Sequence, residues 1–545
     1  MVNAILIKNG LVMDGTGKPA FKADVLIHND RIEDIGNFQG KEADIVIDAN
    51  GLVIAPGFID VHSHLDFILP SPRHVHILET WIRQGVTTIV GGNCGYSPAP
   101  INHDYVEDIS IYWNFALPYD GLQFQWTTMA EFLEFLEKMG QTLNVAILTG
   151  HNTLRTNVMG FEARFVKEDE ISEMKLMLKR SVEAGSFGLS LGLEYVPGIF
   201  SNTDEILELA SVLTKYSLPL VPHTRALLSK LYTKAVDEVI LIAEKNKIPL
   251  HISHHAGGGI GRARKLALRA IQEAIDRGVK ISHDNLPWPN TSTTALSEFP
   301  PWLFDGGIQK FFERLKGDPQ VRTQAILEME KFIPKWPPWE NKYWTGRGFN
   351  ANAVLAGFRI KENKIFENWN IKDIAEELHK APIDALIDLV IEEHGKIYLI
   401  TGQFGNPVAE DFVCSLLSDP NCSIGTDIVA ADFKTISPVA YGAFTKVLGN
   451  IARDKGIMTQ EEAVRKMTSL PAKQMQIKDR GILQKSAFAD ITIFNPKTVN
   501  NRASYTNPYQ PSEGIEYVLI NGKLVLEKDK FYSKELAGKV LRSNL

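Results

Sequence analysis

Only three cysteines, Cys94, Cys414 and Cys422, occur in 545 residues. So sparse a set excludes a disulfide framework as the source of stability. Cys414 and Cys422 fall beside apolar stretches and read as small buried residues. Basic runs are missing too, and the net charge is −7, which argues against nucleic acid or an anionic membrane surface as the main partner. No apolar run is long enough to span a bilayer, and Met1 to Gly10 alternates and turns too early for a signal peptide, so a cytoplasmic location is expected. Internal repeats and low-complexity tracts are also lacking. The oligomeric state is not legible.

What is present is a large apolar fraction, 44%, against 23% charged residues, which is the balance of a globular chain with a substantial core. Both chain ends read as short strands split by turns, for example Ala4 to Lys8, Asp24 to Ile27 and Asp490 to Phe494. Neither end has enough strands to stand alone. Residues 1–55 and 481–545 are therefore expected to build one small β-sandwich domain together.

Between them, apolar runs alternate with amphipathic helical stretches such as Thr128 to Met139, Lys167 to Ala184, Thr203 to Tyr216 and Ala263 to Arg277. Eight runs qualify as buried strands: Ile54 to Val61, Thr87 to Gly91, Asn144 to Leu148, Gly188 to Leu191, Leu218 to Pro222, Pro249 to Ser253, Val279 to Ser282 and Cys422 to Gly425. This is the α/β pattern of a (β/α)₈ TIM-like barrel over residues 56–480, with catalytic groups at the carboxyl ends of the strands. The alternation breaks only at about 297–419, where several helices and a Trp/Pro-rich stretch, Pro334 to Trp339, predict a subdomain inserted between strands seven and eight that overhangs the site.

Polar residues follow the apolar runs where such a barrel needs them. His62 and His64 close the first run one residue apart, so a strand would project both imidazoles to one face. Cys94 lies between glycines after the second. His223-Thr224-Arg225 follows the fifth, His251, His254 and His255 follow the sixth, and Gly425-Thr426-Asp427 follows the eighth. A pair of histidines alone also fits a polar strand face without metal, but four such coincidences at one barrel mouth point to a metal-dependent hydrolase. Thiol and imidazole donors favour Zn2+ over magnesium or calcium. Zinc acidifies water toward neutrality and polarises a carbonyl, and Asp427 would move the proton from the water to the departing nitrogen. Its competing reading is a carboxylate cap of the following segment.

These residues together resemble the amidohydrolase superfamily and, within it, the D-aminoacylase (N-acyl-D-amino-acid deacylase) family. The stretches that carry the resemblance include Pro56-Gly57-Phe58-Ile59-Asp60-Val61-His62-Ser63-His64, Asn93-Cys94-Gly95, Gly150-His151-Asn152-Thr153-Leu154-Arg155, Gly192-Leu193-Glu194-Tyr195, Ile252-Ser253-His254-His255 and Gly425-Thr426-Asp427. The resemblance spans the chain and implies a tight zinc site of Cys94, His223 and His254. It also implies a second, weaker position at His62 and His64 that Cys94 can bridge, and Asp427 as catalytic acid/base. His251 and His255 would then support the site from behind.

Departures from the family pattern bear on substrate. Where the family has Tyr-Pro-Tyr after the seventh strand, this chain has Leu286-Pro287-Trp288; Ser292 is retained; and Val439 stands where an arginine is expected. Two of three anchors for a substrate α-carboxylate are thus gone, and Ala256 replaces a further lysine. An anion left unpaired in a buried site is costly. The expected substrate is therefore a small N-acyl or amide compound with a more apolar binding region at Leu286, Trp288, Val439 and Trp302, together with Tyr195, while Arg155 or Arg225 would supply any relocated cation. The same large residues could equally be loop packing. Alternatives are a cyclic-amide hydrolase of dihydropyrimidinase type, ranked lower because no lysine closes the fourth strand; metal-dependent C–C bond chemistry; and a non-catalytic scaffold.

Overall fold

The computed structural model describes residues 4–118, 120–227, 231–256, 261–331, 349–403, 405–429 and 437–543. The Trp/Pro-rich stretch at 334–339 lies outside them. Eight short parallel strands carry the site: β1 (Phe58–Asp60), β2 (Val86–Gly91), β3 (Asn144–Ile147, continued at Thr149–Gly150), β4 (Leu189–Gly192), β5 (Leu220–His223), β6 (Leu250–Ile252), β7 (Ile281–Asn285) and β8 (Cys422–Ile424). They pair in sequence order from β1 to β8, all in parallel. The ring closes where the Asp427 N–H donates to the His62 carbonyl at 2.8 Å and Thr426 bonds Asp60 of β1. Nearly every strand residue is buried, as expected where helices cover the outside of a parallel barrel.

The helices begin where their caps lie. Thr128 accepts from the Glu131 N–H and Glu131 answers back, so the helix starts at Met129 rather than at Thr128. Glu168–Ala184 buries Met174, Leu178, Ser181 and Val182 on one face and ends at Gly185, whose left-handed backbone suits glycine. Among the described residues no helix is long and apolar enough to cross a membrane.

The run read as a single strand from Ile54 to Val61 is in fact shared by two sheets. Val53–Pro56 pairs antiparallel with Ile491–Phe494, and only Phe58–Asp60 enters the barrel. Gly57 makes the transfer: its N–H bonds the Asp490 carbonyl at 2.8 Å, and a Cβ there would lie 2.2 Å from the Thr87 hydroxyl oxygen. The pairing joins strands from both chain ends into one nine-stranded sheet.

Between β7 and β8 the chain leaves the barrel at Asn290. Strands Asn290–Thr294, Val354–Ala356 and Tyr398–Gly402 form a small antiparallel sheet with the last of them in the middle. Helices Ile308–Gly317, Pro319–Glu330, Ile371–Glu377, Pro382–Glu392 and Pro407–Leu417 accompany it. The excursion thus starts a few residues before the expected Ser297, because Asn290 to Thr294 is polar and lacks the apolar run by which a strand is read.

Candidate metal centre and the cavity above it

The carboxyl ends of β1, β2, β5, β6 and β8 bring six donor side chains together. Cys94 Sγ lies 3.4 Å from His62 Nε2, 3.6 Å from His223 Nδ1 and 3.5 Å from His254 Nε2. Asp427 Oδ1 lies 3.3 Å from both His62 Nε2 and His64 Nε2. Ligand atoms of His62, Cys94, His254 and Asp427 all fall within 4.8 Å of one another. His223 adds to this group beside the thiol and His64 beside the carboxylate. Three of these residues hold a left-handed backbone without being glycine: Cys94 at φ +50°, His254 at +33° and Asp427 at +47°. Such conformations cost free energy and persist where surrounding structure imposes them. Close packing beneath is part of that imposition, since a Cβ on Gly192 would stand 2.0 Å from the Cys94 carbonyl oxygen.

Electrostatics follow from the geometry. Burial alone would raise the Cys94 thiol, but the His62 charge and hydrogen bonds from His223 and His254 outweigh it and hold it well below its ordinary value. Asp427 is likewise pulled well down against burial, chiefly by His62 and His254. Burial opposes charge on the imidazoles, yet Asp427 and Cys94 lift His64 to about 9, and Cys94 and Glu194 lift His223 to about 9. A thiolate, a carboxylate and four imidazoles converging on one point form a donor set suited to a metal. Its sulfur and nitrogen content matches zinc.

Behind the donors stands a layer of carboxylates for which the sequence reading assigned no role. Asp284 of β7 bonds His62 Nδ1 at 3.2 Å and His251 Nε2 at 3.0 Å, and accepts from the His254 N–H at 2.9 Å. Glu194 bonds His223 Nε2 at 3.3 Å and accepts from the Leu227 N–H at 2.6 Å. Asp60 accepts from Trp81 Nε1 at 2.9 Å, from the Thr426 N–H at 2.9 Å and from the Thr426 hydroxyl at 2.7 Å. The bonds to His62 Nδ1 and His223 Nε2 leave the other ring nitrogen of each of these two histidines facing the centre. Glu194 and Asp60 stood inside motifs already noticed; Asp284 carried no signal beyond its place at the end of an apolar run. His251 also bonds Ser282, and His255 Nδ1 meets the Tyr232 hydroxyl.

A cavity of about 510 Å³ opens above the centre, with His64, His223, His254 and Asp427 at its floor. Tyr195, Leu286, Trp288 and Ser292 line it as expected from sequence. The Tyr195 ring stands 4.9 Å from that of His223, and its hydroxyl accepts from Thr293 at 3.3 Å. Apolar lining also comes from Trp113, Phe115, Leu227 and Val429, and from Ala409, Phe412, Val413 and Leu416 on one face of the helix Pro407–Leu417. Neutral polar groups of Asn285, Asn290, Thr291, Thr401 and Gln403 complete it. No lysine or arginine lines the cavity among the described residues.

Four sequence expectations are corrected here. Arg155 is fully buried away from the cavity, its guanidinium paired with Glu205 at 2.5 Å and with the Arg164 carbonyl. Arg225 is equally buried, held by Glu238 at 3.1 Å and by the Ser201 carbonyl at 2.6 Å. A guanidinium needs several acceptors when desolvated, and both find them inside the barrel wall. Val439 begins the helix Val439–Lys446 and packs into the core rather than lining the cavity. Trp302 also lies outside the lining and donates to Glu328 at 2.7 Å.

The model of the Amidohydrolase family matches residues 45–201 and 370–526. An N-acyl-D-glutamate deacylase of Alcaligenes xylosoxydans xylosoxydans is 30% identical over 525 residues, 95% of this chain and 92% of its own length. A D-aminoacylase of the same organism is 29% identical over 544 residues, 98% of this chain and 97% of its own. The crystal structure of N-acyl-D-glutamate deacylase from Bordetella bronchiseptica, complexed with zinc and a phosphonate mimic of the tetrahedral intermediate, superposes with a TM-score of 0.79 at 28% identity, covering 99% of this chain and 100% of that one.

Proposed function

The chain belongs to the amidohydrolase family, metal-dependent hydrolases of carbon–nitrogen bonds, and from that premise we propose that it cleaves the amide of an N-acylated small molecule whose recognition does not depend on a carboxylate. The observation that carries this reading is the contrast within one cavity: a floor of six metal-type donors beneath a described wall without a cation. Cys94, His223 and His254 would hold a zinc tightly, and His62 and His64 would offer a second, weaker position. When bound, the metal supplies Lewis acidity toward water and the amide carbonyl.

The protein's own groups do the rest. Asp427 Oδ1, kept ionised by His62 and His254, would hold the proton of the attacking water and release it to the departing nitrogen. Asp284 and Glu194 keep the imidazoles in the required orientation. Tyr195, Leu286, Trp288 and Ser292 would meet the substrate. An inserted segment between β7 and β8 supplies the helix Pro407–Leu417 as an apolar side of the cavity, and strands from both ends of the chain would form a β domain of their own.

The test is hydrolysis by zinc-loaded protein of N-acyl amines and N-acyl-D-amino acids of matched size, read as release of free amine. Release that stops on chelation and returns with zinc is expected. No release from any member of either set would overturn the reading.

A further inference from the structure

Lys446 is the last residue of the helix Val439–Lys446, and its ammonium stands 4.2 Å from the centroid of the Trp288 ring. That distance is well inside the range of a cation–π contact, which extends to about 6 Å. The same nitrogen donates to Glu410 Oε2 at 2.8 Å. Both partners are largely withdrawn from water, with side chains 12% and 23% exposed, and Trp288 is 5% exposed. Salt bridges on the open surface contribute little, whereas a desolvated cation held between a carboxylate and an indole fixes all three groups.

The three residues come from three separate segments. Trp288 follows β7, Lys446 follows β8, and Glu410 is on the inserted helix Pro407–Leu417. On that helix Ala409, Phe412, Val413 and Leu416 line the cavity. Glu410 is absent from the lining and instead reaches Lys446, consistent with the rotation of about 100° between successive helical residues. The indole covered by Lys446 is also part of the cavity wall.

We infer that Lys446 and Glu410 form a positioning pair that fixes Trp288 and the inserted helix as one neutral wall, and so select a substrate arm that is apolar or aromatic and uncharged. This rests on the amide-hydrolase reading for its kinetic consequences but not for its structural core. Lys446 is a cation near the cavity, yet its charge is engaged by Glu410 and by the Trp288 ring, so it offers no free partner to a carboxylate. Glu410 in turn is held by that ammonium and contributes no free negative charge to the wall.

The experiment compares Lys446→Met, Lys446→Arg and Glu410→Gln with the wild type in zinc-loaded protein. Two readouts are taken: the Trp288 fluorescence obtained by difference from Trp288→Phe, and kinetics on N-acetylphenethylamine and N-acetyl-D-phenylalanine. Lys446→Met keeps an unbranched side chain one atom shorter and removes its charge. It is expected to raise acrylamide quenching of Trp288 and to raise KM for N-acetylphenethylamine about five- to tenfold with kcat changed less than about twofold, the scale of one desolvated cation–π contact. Lys446→Arg should restore both. Glu410→Gln leaves the ammonium uncompensated and should shift the ratio of kcat/KM toward the carboxylate-bearing compound by about threefold or more.

A folded Lys446→Met protein with unchanged Trp288 quenching and unchanged KM would overturn the inference. If that variant does not fold, Glu410→Gln decides: an unaltered substrate ratio together with unaltered Trp288 quenching overturns it. Absence of any amide hydrolysis in the wild type would instead remove the proposed function, and Trp288 quenching in the variants would still decide whether the pair fixes the wall.

Discussion

At the floor of the cavity, thiol, imidazole and carboxylate groups are packed within bonding distance of one another and braced by buried Asp284, Glu194 and Asp60. Above it, the wall of Leu286, Trp288, Phe412, Val413 and Val429 holds no ionised side chain in its described lining. The two regions come from different parts of the fold. The floor lies on strand ends locked into the barrel ladder, while much of the wall comes from the segment inserted between β7 and β8. The contrast indicates how the two can vary separately. Floor geometry depends on several strands at once, so a change at one donor disturbs the others through their shared hydrogen bonds. Wall residues line the cavity without joining the donor cluster, and their replacement alters what fits rather than what reacts.

If that division is right, substitutions in the two regions should separate in kcat and KM. The largest effect is expected for Asp427→Asn, which keeps shape but loses the proton-accepting oxygen: kcat should fall by about 10²–10⁴-fold, far more than zinc content, which Cys94, His223 and His254 still hold. Single-turnover kinetics with metal analysis checks this. Asp284→Asn attacks the floor one step removed, loosening His62, His251 and the His254 backbone together, and zinc affinity should weaken about 10–100-fold in a competition titration with a chelating dye. The smallest of the three is Phe412→Ala on the wall. Phe412 is only half-buried, so stability should change little, and loss of its contact should raise KM about tenfold with kcat preserved. A fall in kcat with unchanged KM for Phe412→Ala would dissolve the distinction between floor and wall.

Legibility in the sequence followed the same boundary. His62, His64, Cys94, His223, His254 and Asp427 were readable because each ends an apolar run, and strand ends at one barrel face must converge. Asp284 also ends such a run, but a single aspartate gives no pattern until its partners His62, His251 and His254 are seen around it. Arg155 and Arg225 misled for a related reason. A charged residue beside a catalytic motif reads as solvent-facing, and only the fold brings Glu205 and Glu238 close enough to bury the guanidinium groups. The shared strand at Val53–Asp60 was hidden because a run that serves two sheets has the same apolar texture as one that serves one. On the wall, Leu286 and Trp288 were legible by their difference from a resembling pattern, whereas the face formed by Ala409, Phe412, Val413 and Leu416 became evident only with the inserted helix in place.

The most direct test of the central claim is the ratio of kcat/KM for one matched pair on zinc-loaded protein, N-acetylphenethylamine against N-acetyl-D-phenylalanine, which differ only in the carboxylate. A described lining without lysine or arginine offers that anion no partner, so the compound without it should be hydrolysed more efficiently by about tenfold or more. Preference for the carboxylate-bearing member of the pair would contradict the account.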